Sequence, residues 1–151
     1  MSNRFTGGGT PTADVLLVES APEDAAPFIE AFESTAYTES VHVVTDGAAA
    51  LDFLHRRGDY TDAPRPQLVL LDLHVHGPSG TEVLGELTDH DELRRVPVVA
   101  VKASDAADDV LQSYDLNANA YVVKPETSAE FEALAESIER FWLAEAKLPP
   151  R

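Results

Sequence analysis

The chain reads as an α/β domain built on a doubly wound sheet of five parallel strands, and three observations carry that reading. Five short runs, 15–18 (VLLV), 41–44 (VHVV), 68–71 (LVLL), 98–101 (VVAV) and 120–123 (AYVV), are branched and nearly all apolar, as strands covered on both faces must be. Helical patterns separate them, so strand and helix alternate along the chain. With 151 residues and 44% apolar content, the chain has the size of one domain with a single core. Such alternation implies right-handed crossovers, and a doubly wound sheet binds its ligands outside the carboxyl ends of its strands.

Residues 1–12 (MSNRFTGGGTPT) hold three consecutive glycines and almost nothing to bury, which marks them as a mobile leader. The domain itself is expected over 13–146, followed by a tail at 147–151. Helices are expected at 22–34, 47–57, 79–89, 105–115 and from 127 to about 146. Thr127 and Glu130 have the spacing of a capping box, in which each side chain satisfies a backbone N–H of the other residue. Ser20 and Glu23 share that spacing, with Pro22 in the first turn, where a missing N–H does no harm. In the last helix Phe131, Leu134, Ile138 and Phe141 or Trp142 form an apolar stripe that is first of all a core face, and Trp142 with Leu143 exceeds what one face needs.

The formal net charge is −16, from 11 basic and 27 acidic residues. That surface repels polyanions, and the basic residues stand in short pairs (Arg56 with Arg57, Arg94 with Arg95) suited to helix C-termini, so no nucleic acid and no membrane is expected as a partner. The acids are interleaved with apolar segments, as on a solvated, halophile-like surface whose charge a salt-rich cytosol screens. Zero Cys excludes disulfide scaffolds and thiolate metal sites. With no signal-type segment and no apolar run near about eighteen residues, the expected location is cytoplasmic.

Under a strand order of 2-1-3-4-5, the carboxyl ends of the first, third, fourth and fifth strands share one rim. Those ends carry Glu19 and Ser20, Asp72, Lys102, and Lys124 followed by Pro125. Lysine is scarce, and of Lys102, Lys124 and Lys147 two close apolar runs where a charge is costly to bury. Any one of these residues alone reads as a strand-end charge reaching water. Together they place two carboxylates opposite two ammonium groups, a pairing of roughly 4 kcal/mol at about 4 Å and an effective dielectric near 20, before desolvation is subtracted.

The segments VLLVES, LVLLDLHVHGPSG, VPVVAVKAS and ANAYVVKPE, in this order and at this spacing, resemble the receiver domain of two-component response regulators over roughly residues 13 to 145. The segment LDFLHRRGDYTDAPRPQLVLLDL further resembles the small stand-alone receivers that partner phytochrome-type sensor kinases. The resemblance implies a flavodoxin-like fold and a signalling protein, not an enzyme, that accepts phosphate on Asp72 from a sensor histidine kinase and acts by protein contact. It implies that the Asp72 carboxylate is the nucleophile, and that Mg²⁺ is held by acidic residues after the first strand, by Asp72 and by the backbone carbonyl of His74. Lys124 would hold the carboxylate and later a phosphoryl oxygen, and Tyr121 falls at the aromatic switch position. A homodimer through the face of the fourth helix (105–115), fifth strand and fifth helix is also implied, and Trp142 with Leu143 suits it.

The sequence departs from the family pattern at two positions. Ser20 stands where a second acid would ligate Mg²⁺, and Lys102 stands where a switch Ser or Thr would bond the phosphoryl group. The usual pocket sets three acids against one lysine and is neutralised by Mg²⁺, whereas Glu19 and Asp72 against Lys124 and Lys102 are neutral without it. Lys102 is therefore expected to pair with Asp72 at rest and to replace part of the metal's role, with Mg²⁺ binding weakened by Ser20. The competing reading has Lys102 snorkelling outward and Ser20 only capping the helix.

Other signals are weaker. Asp72, His74 and His76 alternate in the manner of Zn²⁺ ligands, but the loop after the acceptor accounts for them better. His42, His55 and His90 stand singly and read as structural or solvent-facing. Two other functional classes stay open: a pseudo-receiver that never cycles through phosphate because Lys102 keeps its pocket neutral, and a cofactor enzyme or flavin carrier on the same sheet. Against the last, the first loop, ESAPED, carries three acids and no glycine where a phosphate cradle needs backbone N–H groups. Only about five residues follow the last helix, so no output domain is expected.

Overall fold

The computed structural model describes residues 13–34, 38–102 and 118–141. The expected leader, the helix at 105–115, Trp142, Leu143 and the tail lie outside them. Five parallel strands, β1 (Ala13–Val18), β2 (Thr38–Val44), β3 (Leu68–Asp72), β4 (Val98–Lys102) and β5 (Ala120–Val123), form one sheet in the order β2-β1-β3-β4-β5. Four helices belong to the described residues: α1 (Pro22–Glu33), α2 (Gly47–His55), α3 (Gly80–Asp89) and α4 (Ser128–Ile138). The doubly wound architecture and its strand order are those the sequence predicts.

Alternation along the strands splits the core into two layers, one on each side of the sheet. Leu16, Val18, Val69, Leu71, Val98 and Ala100 face α2 and α3, where Leu54, Val83, Leu84 and Leu87 cover them. Val15, Leu17, Leu68, Leu70, Val99 and Val101 face α1 and α4, where Phe28, Phe32, Phe131 and Ile138 cover them. Both faces being dry explains why the strands carry no polar alternation, and burying each such side chain contributes roughly 1.5–3 kcal/mol. Phe28 and Phe131 meet edge to face with centroids 4.7 Å apart, pinning α1 to α4 on that side.

The helix starts differ from expectation in two respects. The boxes Thr127–Glu130 and Ser79–Glu82 are both formed, the second unforeseen. The Ser20–Glu23 box is absent: α1 begins at Pro22 with Ala21 at its N-cap and no side-chain cap, which leaves Ser20 one residue outside the helix. The stripe on the last helix buries Phe131, Ala135 and Ile138, while Phe141 is exposed.

Two of the single histidines have partners that are distant in sequence. His42 Nε2 lies 3.0 Å from Oδ1 of the buried Asp14, across the β1–β2 pair. His55 Nε2 lies 3.2 Å from Glu86 Oε1, and its ring stands against His90 with centroids 5.1 Å apart, joining α2 to the end of α3.

Candidate functional site

The strand registers build the rim. Asp72 aligns with Val101 and Lys102 with Val123, so the last residues of β3, β4 and β5 finish close together. The ladder runs one step past the strands: Leu73 N–H donates to Val101 C=O at 3.0 Å, Lys124 N–H to Lys102 C=O at 2.8 Å, and Glu19 N–H to Val44 C=O at 3.0 Å. Each site residue is thus held by backbone hydrogen bonds on the neighbouring strand, which fixes where its side chain begins.

At the centre is the Lys124 ammonium. It donates to Asp72 Oδ2 at 2.8 Å and to Asp24 Oδ2 at 2.9 Å, and Glu19 Oε1 lies 2.8 Å from it. The last contact is ionic, because Oε1 is buried without a directed hydrogen bond. Glu19 Oε2 accepts the Ala21 N–H at 3.2 Å, and Asp72 Oδ1 accepts the His74 N–H at 2.8 Å. Glu19 and Asp72 are 1% and 4% exposed, so these are interior charges at a strand end.

Burial sets the protonation of the cluster, and the two carboxyls diverge. Burial pushes Glu19 up to about 7 against the pull of the Lys124 ammonium, and the neighbouring Asp72 carboxylate adds to the rise. Burial also pushes Asp72 upward, yet Lys124, the His74 N–H and the adjacent Glu19 carboxyl outweigh it and hold Asp72 below the usual carboxylate range. For Lys124, burial favours the neutral amine, but the carboxyl groups of Asp72, Glu19 and Asp24 around it raise it well above an ordinary lysine. Near neutral pH the site therefore holds an ionised Asp72, a locked cation and a Glu19 poised to keep or lose its proton.

The loop after Asp72 is shaped by two glycines. Gly77 adopts φ +82°, a conformation disfavoured for residues with a Cβ, and a Cβ on Gly80 would run into Leu73 and the Asp72 carbonyl oxygen. Gly80 opens α3, so the helix packs directly on the backbone that carries Asp72. His74 and His76 are exposed and Asp72 turns inward to Lys124, so the alternation in sequence gathers no Zn²⁺ site. Among the described residues no three His, Cys, Asp or Glu side chains are grouped to hold a metal ion.

Two expectations about charge change. The Asp72 carboxylate is bonded by Lys124 and the His74 N–H, and the expected Lys102–Asp72 pair is not among its contacts. Lys102 closes β4, half-buried and engaged in interactions of its own. Asp24, absent from the sequence-based count, enters the pocket from the first turn of α1. With it the rim carries one more carboxyl group than ammonium groups, so the pocket is neutral only where Glu19 keeps its proton. The signal for Asp24 was present in the acid-rich loop ESAPED, because helix side chains tilt toward the N-terminus and a first-turn acid leans over the strand ends.

The oxygens here suit a hard divalent cation. Glu19 and Asp72 supply carboxylates, the His74 carbonyl lies in the adjacent loop, and the buried Glu19 Oε1 makes no directed hydrogen bond beyond its ionic contact with Lys124. Tyr121, on β5, packs half-buried against the core layer facing α2 and α3.

The family model for the response regulator receiver domain matches residues 15–136. The chain belongs to the response regulator receiver family. Among curated relatives, the receiver is 36% identical over 139 residues to response regulator Rcp1 of Synechocystis, covering 92% of this chain and 95% of that protein. The Mn²⁺-bound crystal structure of Rcp1 superposes with a TM-score of 0.85 at 36% identity, covering 91% of this chain and 99% of that one. The phosphorylated cyanobacterial phytochrome response regulator RcpA superposes with a TM-score of 0.87 at 36% identity, covering 92% and 99%. The receiver thus stands beside phytochrome-associated response regulators in both sequence and fold.

Proposed function

We propose that this receiver accepts a phosphoryl group on Asp72 from a phosphohistidine of a sensor kinase, one of the phytochrome type, and passes the signal on by protein contact. The observation that carries this reading is the Asp72–Lys124 pair: a buried carboxylate, kept ionised by an ammonium 2.8 Å away, at the carboxyl end of the central strand β3. A carboxylate oxygen attacks phosphorus, the P–N bond breaks, and its electron pair returns to the imidazole nitrogen of the kinase. Lys124 then stabilises charge on the phosphoryl oxygens.

A divalent cation of the Mg²⁺ or Mn²⁺ class would be held by Glu19, Asp72 and the His74 carbonyl, and when bound it neutralises phosphoryl charge. Ser20 supplies a hydroxyl in place of a second acid beside Glu19, so the affinity is expected to be weak. Lys102, at the end of β4, and Tyr121, within β5, are assigned the switch: Lys102 stands where a phosphoryl group on Asp72 would meet a second cation, and Tyr121 changes rotamer in response. The near complete mutual coverage with RcpA, a phytochrome response regulator, supports the choice of kinase class.

Incubation with acetyl phosphate and Mg²⁺ tests the reading. A mass increase of one phosphoryl group is expected on the wild type and none on Asp72→Asn. Equal labelling of the two proteins, or labelling of neither, would remove Asp72 as acceptor.

A further inference from the structure

The Lys124 ammonium has three N–H donors, and three carboxyl groups surround it. Two of those N–H groups bond Asp72 and Asp24 and Glu19 Oε1 adds an ionic contact, so a phosphoryl oxygen arriving on Asp72 must compete with the carboxyl oxygens already crowded around that ammonium. Asp72 is itself the acceptor. Glu19 is buried, and its other oxygen is tied to the Ala21 N–H. Asp24 differs from both. Its side chain is 36% exposed, it lines the open cleft between α1 and the start of α4 with Glu23, Pro27 and Phe131, and Lys124 is the side-chain partner it holds among the described residues.

Building on the phospho-acceptor role of Asp72, we propose that Asp24 is a latch on Lys124, holding one ammonium N–H at rest and yielding it to a phosphoryl oxygen when Asp72 is phosphorylated. Asp24 is a positioning residue: it acts through Lys124 and does not touch the reacting atoms. It also places a further negative charge beside the approach of an anionic donor, in a cleft where screening is incomplete. The position follows from the fold, because Pro22 starts α1 directly after the Glu19 loop and so brings the third helical residue over the strand ends. The latch restores, from one helical turn away, the third acid that Ser20 does not supply.

Acetyl phosphate is the probe, its P–O bond breaking with the electron pair leaving on acetate. Asp24→Asn, which keeps the shape and removes the charge, is expected to raise the initial rate of Asp72 labelling three- to tenfold at low ionic strength. The gain should shrink as salt is added. The phosphorylated form of the variant should also outlast the wild type, since no carboxylate competes to recapture Lys124. Asp24→Glu, which returns the charge on a longer arm, should bring rate and lifetime back toward wild type, and Asp24→Ala serves as a second neutral variant. Wild-type labelling with an unchanged or slower rate in both neutral variants overturns the latch and leaves Asp72 as acceptor. Absence of labelling on the wild type overturns the acceptor reading itself, and the latch with it.

Discussion

At the scale of single residues, the site is governed by how differently one environment treats two carboxyl groups. Glu19 and Asp72 are both buried, but Asp72 collects the Lys124 bond and the His74 N–H, whereas burial wins at Glu19. The pH dependence follows in sign. The folded chain keeps the Glu19 proton up to about pH 7, against an ordinary value of 4.5, so it binds more protons than the unfolded chain between those limits. Stability must then fall as pH rises through that window, by at most ~1.4 kcal/mol per pH unit. Asp72 has the opposite sign and acts in more acid solution, where stability is lost as pH falls through its depressed value. Urea midpoints at about pH 5 and about pH 7.5 should therefore show a declining contribution in the wild type that Glu19→Gln lacks. Identical slopes in the two proteins would show that Glu19 titrates normally.

At the scale of elements, legibility in the sequence depended on whether a signal was local. The strands were readable because two dry faces demand an unbroken apolar run, and the Thr127–Glu130 box because its partners lie within one turn. The Ser20–Glu23 box has the same spelling and is not made, since Pro22 and the strand end at Val18 set the start of α1 one residue later. The partners of His42 and His55 were invisible for the opposite reason: Asp14 and Glu86 are brought to them by strand pairing and helix packing. Gly80 belongs to this scale, because it lets α3 rest on the loop that carries Asp72. Gly80→Ala should cost roughly 1–3 kcal/mol, since the obstructing atoms include backbone that moves only with the loop. It should also slow Asp72 labelling, and an unchanged urea midpoint would show that the loop gives way freely.

At the scale of the whole molecule, the net charge of −16 is a constraint on folding as well as on partners. Like charges crowded on a compact surface repel, and salt relieves the repulsion: the screening length falls from ~10 Å at about 0.1 M to ~3 Å at about 1 M. The melting midpoint should therefore rise with NaCl over that range, and a flat or falling midpoint would contradict a charge-limited fold. The buried Lys124 cluster is shielded from this screening, so Lys124 should remain paired while the surface is relieved.

The amino-acid sequence by itself determined the α/β class and the placing of Glu19, Asp72, Lys102 and Lys124 at strand ends, because apolar periodicity and strand-end position are local; the strand order that brings those ends together was what the family resemblance implied. Only the tertiary structure decided which of those charges pair. Asp72 is bonded by Lys124, while Lys102 does not join its contacts, and Asp24 enters from a neighbouring helix turn. Pairing depends on side-chain reach of a few ångströms across separate elements, and no spacing along the chain encodes that distance.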